Sequence, residues 1–286
     1  MSIDREKFEG GVAVITGAGA GIGLGLARRA AELGMKVALA EVNEQRLDAV
    51  DRELRAAGAE TLPVLTDVSR PAALDALADT VYDHWGEVRL LINNAGIETI
   101  GYTWEIPTEG WERTLNINIH GIVHGVRAFM PRMLASGKEA WVANLASIGA
   151  FGQMPLQTAY IMTKHAVQSF TECLALEVSL TGKPIHVASI LPGMVRTSIF
   201  EAGAGADSQN DAAAAHRRTM RDYMAHDGMD LAEASRVMLE QVAAGEFFVS
   251  TQPEMTDDMI AGRIAFLQSR RAPQLSEQTR ALIDAA

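Results

Sequence analysis

Cysteine is nearly missing from this sequence, which contains one, Cys173. A single cysteine excludes an intrachain disulfide, and with it the class of small secreted proteins that disulfides hold together. Because Cys173 lies in an apolar stretch, we interpret it as a small buried hydrophobic residue. The first residues, MSIDREKFEGG, carry mixed charges and no apolar signal-peptide core. We therefore expect a cytoplasmic protein.

Positive charge and long apolar runs are also scarce. The 25 Lys and Arg residues are outnumbered by 36 Asp and Glu residues, which gives a formal net charge of -11. A nucleic-acid partner needs a basic surface to neutralise phosphates, so we expect none. No apolar run reaches the roughly 18 residues free of charge that a membrane span requires. The charge balance says nothing positive about function; the expected partner, a small-molecule substrate, follows from the sequence motifs.

Short apolar runs alternate with longer helical patterns along the chain. The runs are rich in Val, Ile, Leu and Ala, as is typical of strands covered on both faces. They lie at 12–16, 36–41, 62–66, 89–93, 141–145, 186–191 and 247–251. Helices are predicted at 21–34, 43–57, 71–85, 107–136, 158–181, 208–226, 230–244 and 256–269. This alternation predicts an α/β fold with one doubly wound parallel sheet of about seven strands, in a single domain over residues 1–286.

Two segments depart from this rhythm. Residues 198–229 are rich in Ala, Gly and polar residues at a place where an α/β loop should be short. Long insertions at the carboxyl end of a strand are usually functional, so we predict a substrate lid. Met220, Tyr223 and Met224 share one face of its helix, which either packs into the core or covers a substrate. Residues 273–286 are predicted to form a C-terminal arm.

A glycine-rich turn, TGAGAGIG, follows the first predicted strand. Gly17, Gly21 and Gly23 form a G-x-x-x-G-x-G pattern, and Gly19 adds a fourth glycine. Residues without Cβ atoms allow a strand to turn sharply into a helix. They also allow a pyrophosphate to approach the backbone N–H groups of the helix N-terminus. The turn therefore predicts a dinucleotide site.

Acidic and amide residues after the next strands point to the rest of the dinucleotide. Glu41 ends the second strand, where a carboxylate accepts hydrogen bonds from a ribose diol and repels a 2′-phosphate. We therefore predict NAD rather than NADP, with a solvated strand-end charge as the alternative for Glu41. Asp67 is placed to reach the adenine edge. In NNAG (93–96), Asn93 ties strand ends together and Gly96 lets the backbone pass close to a ribose.

These motifs, together with Ser147, YIMTK (160–164) and the Pro-Gly pair at 192–193, resemble the short-chain dehydrogenase/reductase family over residues 10–197. The resemblance implies a Rossmann-type sheet in the order 3-2-1-4-5-6-7. It also implies a catalytic tetrad of Asn118, Ser147, Tyr160 and Lys164. Two departures from the family pattern, Ala146 and Glu41, remove no catalytic group. The cofactor contacts implied are Gly17, Gly19, Gly21, Ile22, Gly23, Glu41, Asp67, Val68, Asn94, Ala95, Gly96, Tyr160, Lys164, Pro192, Gly193, Val195 and Thr197.

The tetrad predicts proton transfer to or from a substrate oxygen. Tyr160 and Lys164 are four residues apart on a predicted helix and share a face, so the ammonium is expected to lower the pKa of the phenol. Bound oxidised nicotinamide is expected to add a second positive charge with the same effect. Ser147 would donate to the substrate oxygen. By the same resemblance, Lys164 binds the nicotinamide ribose and Asn118 holds a water that relays protons.

The predicted substrate contacts are largely apolar. They are Glu98, Phe151, Gln153, Met154, Met194 and Phe200, with Tyr102 and Trp104 nearby in the chain. This set predicts a bulky hydrophobic secondary alcohol or ketone, of the aryl alcohol or hydroxysteroid type. A non-catalytic NAD-binding sensor and an epimerase or dehydratase of the extended relatives are the alternatives.

We predict no metal site, and the expected protein partner is another copy of the chain. His120 and His124 have a two-ligand spacing without a third ligand. Apolar residues cover much of helices 107–136 and 158–181, which family members pair across subunits. We therefore expect a homo-oligomer, either a dimer or a tetramer.

Overall fold

The computed structural model describes residues 2–201, 210–275, 277 and 280. Seven parallel strands form one sheet in the order β3-β2-β1-β4-β5-β6-β7, which confirms the predicted topology. The strands are β1 Val12–Thr16, β2 Lys36–Glu41, β3 Thr61–Leu65, β4 Leu90–Asn93, β5 Ala140–Leu145, β6 Ile185–Leu191 and β7 Phe248–Ser250.

Helices connect these strands and cover both faces of the sheet. They are α1 Ile3–Phe8, α2 Gly21–Glu32, α3 Glu44–Ala56, α4 Pro71–Trp85, α5 Thr108–Leu115, α6 Gly121–Ser136, α7 Thr158–Thr181, α8 Asp211–Asp227, α9 Leu231–Ala243 and α10 Pro253–Ser269. The single helix predicted at 107–136 is divided, because a π-helical turn at Asn116–His120 separates α5 from α6. No helix in the described part of the chain is long and apolar enough to cross a membrane.

Side chains of successive strand residues enter two separate cores. Ala13 and Ile15 of β1 pack into one core, whereas Val12 and Val14 pack into the other. This alternation follows from the two-residue repeat of a strand, and it explains why the strands read as continuous apolar runs. Since all strands run in one direction, their carboxyl ends lie along one edge of the sheet, where the loops of the site meet.

The prediction that Cys173 is buried is wrong, because its side chain is exposed on α7. The helix packs inward through Val167, Leu174 and Val178. Cys173 lies on the opposite side with Leu176 and Leu180, which are 69% and 88% exposed. An apolar stretch by itself does not specify which side of a helix meets the sheet.

The predicted lid is described in part. Residues 202–209 lie outside the described residues, as does most of the predicted arm at 273–286. Helix α8 begins after Asn210, whose side chain accepts a hydrogen bond from Ala213 N at 2.9 Å. Its buried face packs with Ile100, Leu156 and Phe200 in a third apolar cluster, which lies apart from the two cores of the sheet.

Candidate active site

A cavity of about 780 Å³ opens at the carboxyl ends of the strands, the usual place for ligands in open α/β sheets. Three of the four predicted catalytic residues line it: Ser147, Tyr160 and Lys164. Most predicted cofactor contacts line the same cavity, namely Gly17, Gly21, Ile22, Glu41, Asp67, Val68, Asn94, Ala95, Gly96, Pro192, Gly193, Val195 and Thr197. Gly19, Gly23 and Asn118 do not line it.

The glycine turn between β1 and α2 has a backbone that only glycine adopts without strain. Gly17 and Gly21 have φ angles of +65° and +51°. A Cβ at Gly17 would lie 2.9 Å from Ala95 Cα, and one at Gly23 would overlap the carbonyl oxygen of Gly17. The N-terminus of α2 therefore faces the cavity with Gly17 and Gly21, which present no side chain to it. This arrangement fits a pyrophosphate bound by backbone N–H groups.

Glu41 is held at the end of β2 by backbone donors. Its Oε2 accepts from Gly19 N at 3.0 Å, and its Oε1 accepts from Val42 N at 3.1 Å and Asn43 N at 3.0 Å. A Cβ at Gly19 would lie 2.7 Å from Glu41 Oε2. Gly19 therefore positions the carboxylate and does not itself line the cavity. The carboxylate is fixed where the sequence predicts ribose recognition.

The NNAG segment links the ends of the central strands. Asn93 Nδ2 donates to Asn144 Oδ1 at 2.9 Å, and Asn144 Nδ2 donates to Thr171 Oγ1 at 3.1 Å. This buried chain joins β4 to β5 and α7, as predicted for Asn93. Asn94 Nδ2 donates to Thr16 O at 2.7 Å and so ties the segment to β1. These bonds hold the backbone of Ala95 and Gly96 against the cavity.

The catalytic side chains come from the end of β5 and the first turns of α7. Lys164 is buried, and its Nζ donates to Leu145 O at 2.7 Å. The same nitrogen lies 5.3 Å from the centre of the Tyr160 ring. Ser147 Oγ accepts from Gly149 N at 3.0 Å. The predicted side-by-side placement of Tyr160 and Lys164 is therefore present.

The electrostatics of this pair differ from the expectation. Burial raises the pKa of Tyr160 above its ordinary value, the Glu98 carboxylate raises it further, and the hydrogen bond with Ser147 lowers it. Burial lowers the pKa of Lys164 to about 8, against an opposing effect of Glu98. Among the protein's own groups the expected lowering of the phenol's pKa is not found, and the part of the expectation that rests on the charge of oxidised nicotinamide stays a prediction. The main reason for the raised pKa is burial of the phenol, and the buried Glu98 carboxylate in the same cavity adds to it.

Asn118 lies in the π-helical turn and is fully buried. Its Oδ1 accepts from Ile97 N at 2.8 Å, and its Nδ2 donates to Ile97 O at 2.9 Å and Thr163 Oγ1 at 3.1 Å. The side chain therefore fastens the loop after β4 to the helix that carries Tyr160 and Lys164. Its predicted role in a water relay stays a prediction.

The structure brings most of the predicted substrate contacts to one cavity, and their contact with a substrate stays a prediction. Glu98, Gln153, Met154, Met194 and Phe200 all line the cavity. Phe151 does not, because the 3₁₀ turn at Ile148–Ala150 is followed by a backbone that carries it towards β7, where its ring meets Phe248 edge-on at 6.3 Å.

Tyr102 and Trp104 also lie outside the cavity lining. Their rings stack on each other at 5.1 Å, and Trp104 is 80% exposed. Tyr102 packs against the apolar cluster that contains Phe200 and Met220, so it adjoins the cavity without lining it.

Sequence reasoning missed the contribution of the chain after β7. Met255 and Met259 of α10 line the cavity. Met220, Tyr223 and Met224 of α8, which precedes β7, line it as well, in agreement with the lid interpretation. Gln252 Oε1 accepts from Met194 N at 2.8 Å, and its Nε2 donates to Met194 O at 3.1 Å. This amide clamps the Pro-Gly turn from 58 residues further along the chain, and no local pattern signals it.

Within the described ranges, no group of three or more His, Cys, Asp or Glu side chains is arranged to hold a metal.

Comparison with known proteins places the chain in a family. A family model described as short chain dehydrogenase matches residues 11–206. SadH of Mycobacterium tuberculosis, named as an oxidoreductase, is 36% identical over 203 residues, 71% of this chain and 73% of that protein. The 1-deoxy-11-beta-hydroxypentalenate dehydrogenase of Streptomyces exfoliatus is 35% identical over 203 residues, 68% of this chain and 73% of its own.

A solved structure is similar over nearly the whole chain. It is a short chain dehydrogenase/reductase from Burkholderia phymatum in complex with NAD, with a TM-score of 0.88 and 33% identity. The match covers 94% of this chain and 99% of that one. The chain belongs to the short-chain dehydrogenase/reductase family.

Proposed function

We propose that this protein is an NAD-dependent oxidoreductase that interconverts a secondary alcohol and a ketone. The observation that carries the proposal is that Ser147, Tyr160 and Lys164 line the same cavity as the glycine turn. A hydride acceptor and a proton-transferring phenol can then act on neighbouring atoms of one substrate. The named activities of the relatives, an oxidoreductase and a dehydrogenase, agree with this reaction class.

The residues present fit NAD along the length of the cavity. The turn at Gly17 and Gly21 would hold the pyrophosphate, and the fixed carboxylate of Glu41 would accept hydrogen bonds from the adenosine ribose. The same carboxylate would repel the extra phosphate of NADP. When bound, NAD supplies the carbon that exchanges hydride with the substrate and, in its oxidised form, a positive charge.

The chain's own residues handle the proton. Because burial raises the pKa of Tyr160, its hydroxyl carries its proton at neutral pH and can protonate a ketone oxygen as the ketone is reduced. In the oxidative direction, Tyr160 removes the hydroxyl proton only when the positive charge beside it outweighs the Glu98 carboxylate. Lys164 supplies part of that charge, and Ser147 donates to the substrate oxygen.

The substrate end of the cavity favours a bulky apolar molecule. Met154, Met194 and Phe200 line it, and Met220 and Met224 close it from α8. We propose an aryl alcohol or a hydroxysteroid as the substrate type, because flat apolar groups gain most from burial against such walls.

The test is a spectrophotometric screen of aryl carbinols, sterols and sugars with NAD and with NADP, followed at the NADH absorbance band. We expect turnover of apolar secondary alcohols with NAD. In the Tyr160→Phe variant, kcat/KM should fall by about 100-fold or more, because general acid–base catalysis is lost, while NADH binding measured by fluorescence stays unchanged.

Other outcomes of the screen would overturn the proposal. Turnover of sugars alone would contradict the apolar substrate class. Substrate conversion without net change in NADH absorbance would indicate an epimerase. A Tyr160→Phe variant that keeps full biological function would indicate an NAD-binding sensor.

A further inference from the structure

Methionine is concentrated at the cavity. The sequence contains 13 methionines. Six of those in the described ranges line this one cavity and come from the loop before α7, the Pro-Gly turn, α8 and α10. We call this set the methionine wall: Met154, Met194, Met220, Met224, Met255 and Met259.

On the α8 side, the two methionines of the wall pack against other apolar side chains. Met220 is 9% exposed and packs in the apolar cluster with Ile100, Leu156 and Phe200. Met224 is partly buried against the same cluster, and its Sδ lies 3.7 Å from Thr197 Oγ1. Thr197 is one of the cofactor contacts that the family resemblance implies, so this thioether lies where substrate and cofactor would meet.

On the α10 side, two methionines lie against glycines that line the same cavity. A Cβ at Gly193 would lie 3.2 Å from Met255 Sδ, and a Cβ at Gly152 would overlap Met259 Cε. Thr256 is the only buried residue of α10. The helix is therefore loosely held by the core, and its methionines face the cavity and not a packed interior.

Methionine side chains have physical properties that leucine or phenylalanine walls lack. They are unbranched, turn about three bonds, and contact aromatic rings favourably through sulfur. Six of them can change rotamers around a ligand while the strands and the catalytic residues stay in place. A wall of this kind adapts to the ligand's shape, whereas a wall of branched side chains selects one shape.

We propose that the methionine wall lets this enzyme accept apolar substrates of several shapes, those with aromatic rings above all, by repacking its side chains around each one. This inference rests on the proposed function, because it describes the substrate range of the same site. It assigns the breadth of that range to α8 and α10, which lie outside the predicted catalytic and cofactor motifs.

The first test observes the wall directly and does not require turnover. The Tyr160→Phe variant is labelled with [methyl-¹³C]methionine, and each methyl signal is assigned by a single Met→Leu substitution. With NADH present, acetophenone and 2-acetylnaphthalene are added in turn. We expect both ketones to shift the six wall signals, in different patterns, while Met133 and Met238, which are buried in the sheet cores, stay unshifted.

Two results of this experiment would overturn the inference. If neither ketone shifts the wall signals, the wall does not contact substrate. If one ketone shifts them and the other does not bind, the wall selects a single shape.

The second test asks whether flexibility sets the substrate range. Met255→Leu/Met259→Leu keeps the volume and apolar character of both side chains, which folding tolerates well. We expect kcat/KM for 2-acetylnaphthalene to fall by about 10-fold, as is typical when an apolar pocket fits a substrate poorly, with acetophenone changed by no more than about 2-fold. The control Met133→Leu should leave both values unchanged. A double variant that handles both ketones as the wild type does would contradict the proposal.

The two tests separate this inference from the proposed function. If no secondary alcohol or ketone is turned over by the wild type, the proposed function fails, while the methyl signals still report whether the wall adapts to apolar ligands. If turnover is present and the double variant keeps its full range, only the further inference fails.

Discussion

Three ionisable side chains, Tyr160, Lys164 and Glu98, share one buried site and shape its chemistry. Two of them have displaced pKa values, that of Tyr160 raised and that of Lys164 lowered, and burial is the main cause in both cases. Burial of a charged group costs free energy that an exposed lysine does not lose. The positive charge that the site needs for proton abstraction is therefore present at the expense of stability.

This cost predicts a pH-dependent stability that can be assigned to Lys164. Its pKa is about 8 in the folded protein and near 10.5 when unfolded, so the unfolded state binds more protons between these values. Stability of the wild type should rise with pH across this window. Relative to Lys164→Met, the free energy of unfolding should increase by about 2 kcal/mol between pH 7 and pH 9.5.

Chemical denaturation at both pH values measures this difference. Lys183→Met is the matched control, because it makes the same substitution at an exposed lysine. A Lys164→Met variant whose stability relative to the wild type does not change with pH would mean that the ammonium is not destabilised by burial.

At the scale of elements, the ends of β4 and β5 depend on close passage of α6. Gly125 of α6 lies against Asn93, and a Cβ there would overlap Asn93 Oδ1. We expect Gly125→Ala to lower the free energy of unfolding by about 1–3 kcal/mol, because the amide chain through Asn144 must shift. Equilibrium denaturation measures this effect.

Gly262→Ala in α10 is the control for the same substitution. Nothing lies within 4 Å of a Cβ at Gly262, so the gain in helix propensity should make the change neutral or stabilising by up to about 1 kcal/mol. Equal stability of the two variants would show that α6 does not constrain the strand ends.

The strands were predictable because both faces of most of them are covered, so the runs are nearly continuous in apolar residues. The glycine turn and the Tyr160–Lys164 pair were predictable because their chemistry depends on local spacing. The division of helix 107–136 was not, since the residues of the π-helical turn have ordinary helical character and the turn serves to place Asn118 against Ile97. Met259 and Gln252 join the site through tertiary packing alone, and nothing near them in sequence points to it.

At the scale of the whole molecule, α7 leaves an apolar stripe uncovered. Cys173, Leu176 and Leu180 lie on its exposed side. Apolar side chains aligned along a helix in this way are typical of a surface that another copy covers. We expect the protein to sediment as a dimer or tetramer and Leu176→Asp/Leu180→Asp to shift it towards the monomer.

Leu65→Asp is the control for this experiment, because Leu65 is 60% exposed on β3 at the far edge of the sheet. It should leave the sedimentation coefficient unchanged. A wild type that sediments as a monomer would remove the assignment of the α7 stripe to subunit contact.

The predicted cofactor contacts and four of the wall methionines lie in different parts of the chain. Every predicted contact to the dinucleotide precedes residue 198, whereas Met220, Met224, Met255 and Met259 all follow residue 206, where the match to the family model ends. Recombination between relatives downstream of that point would exchange α8 and α10 together. If the methionine wall sets the substrate range, such an exchange would change the substrates of the enzyme and leave its cofactor unchanged.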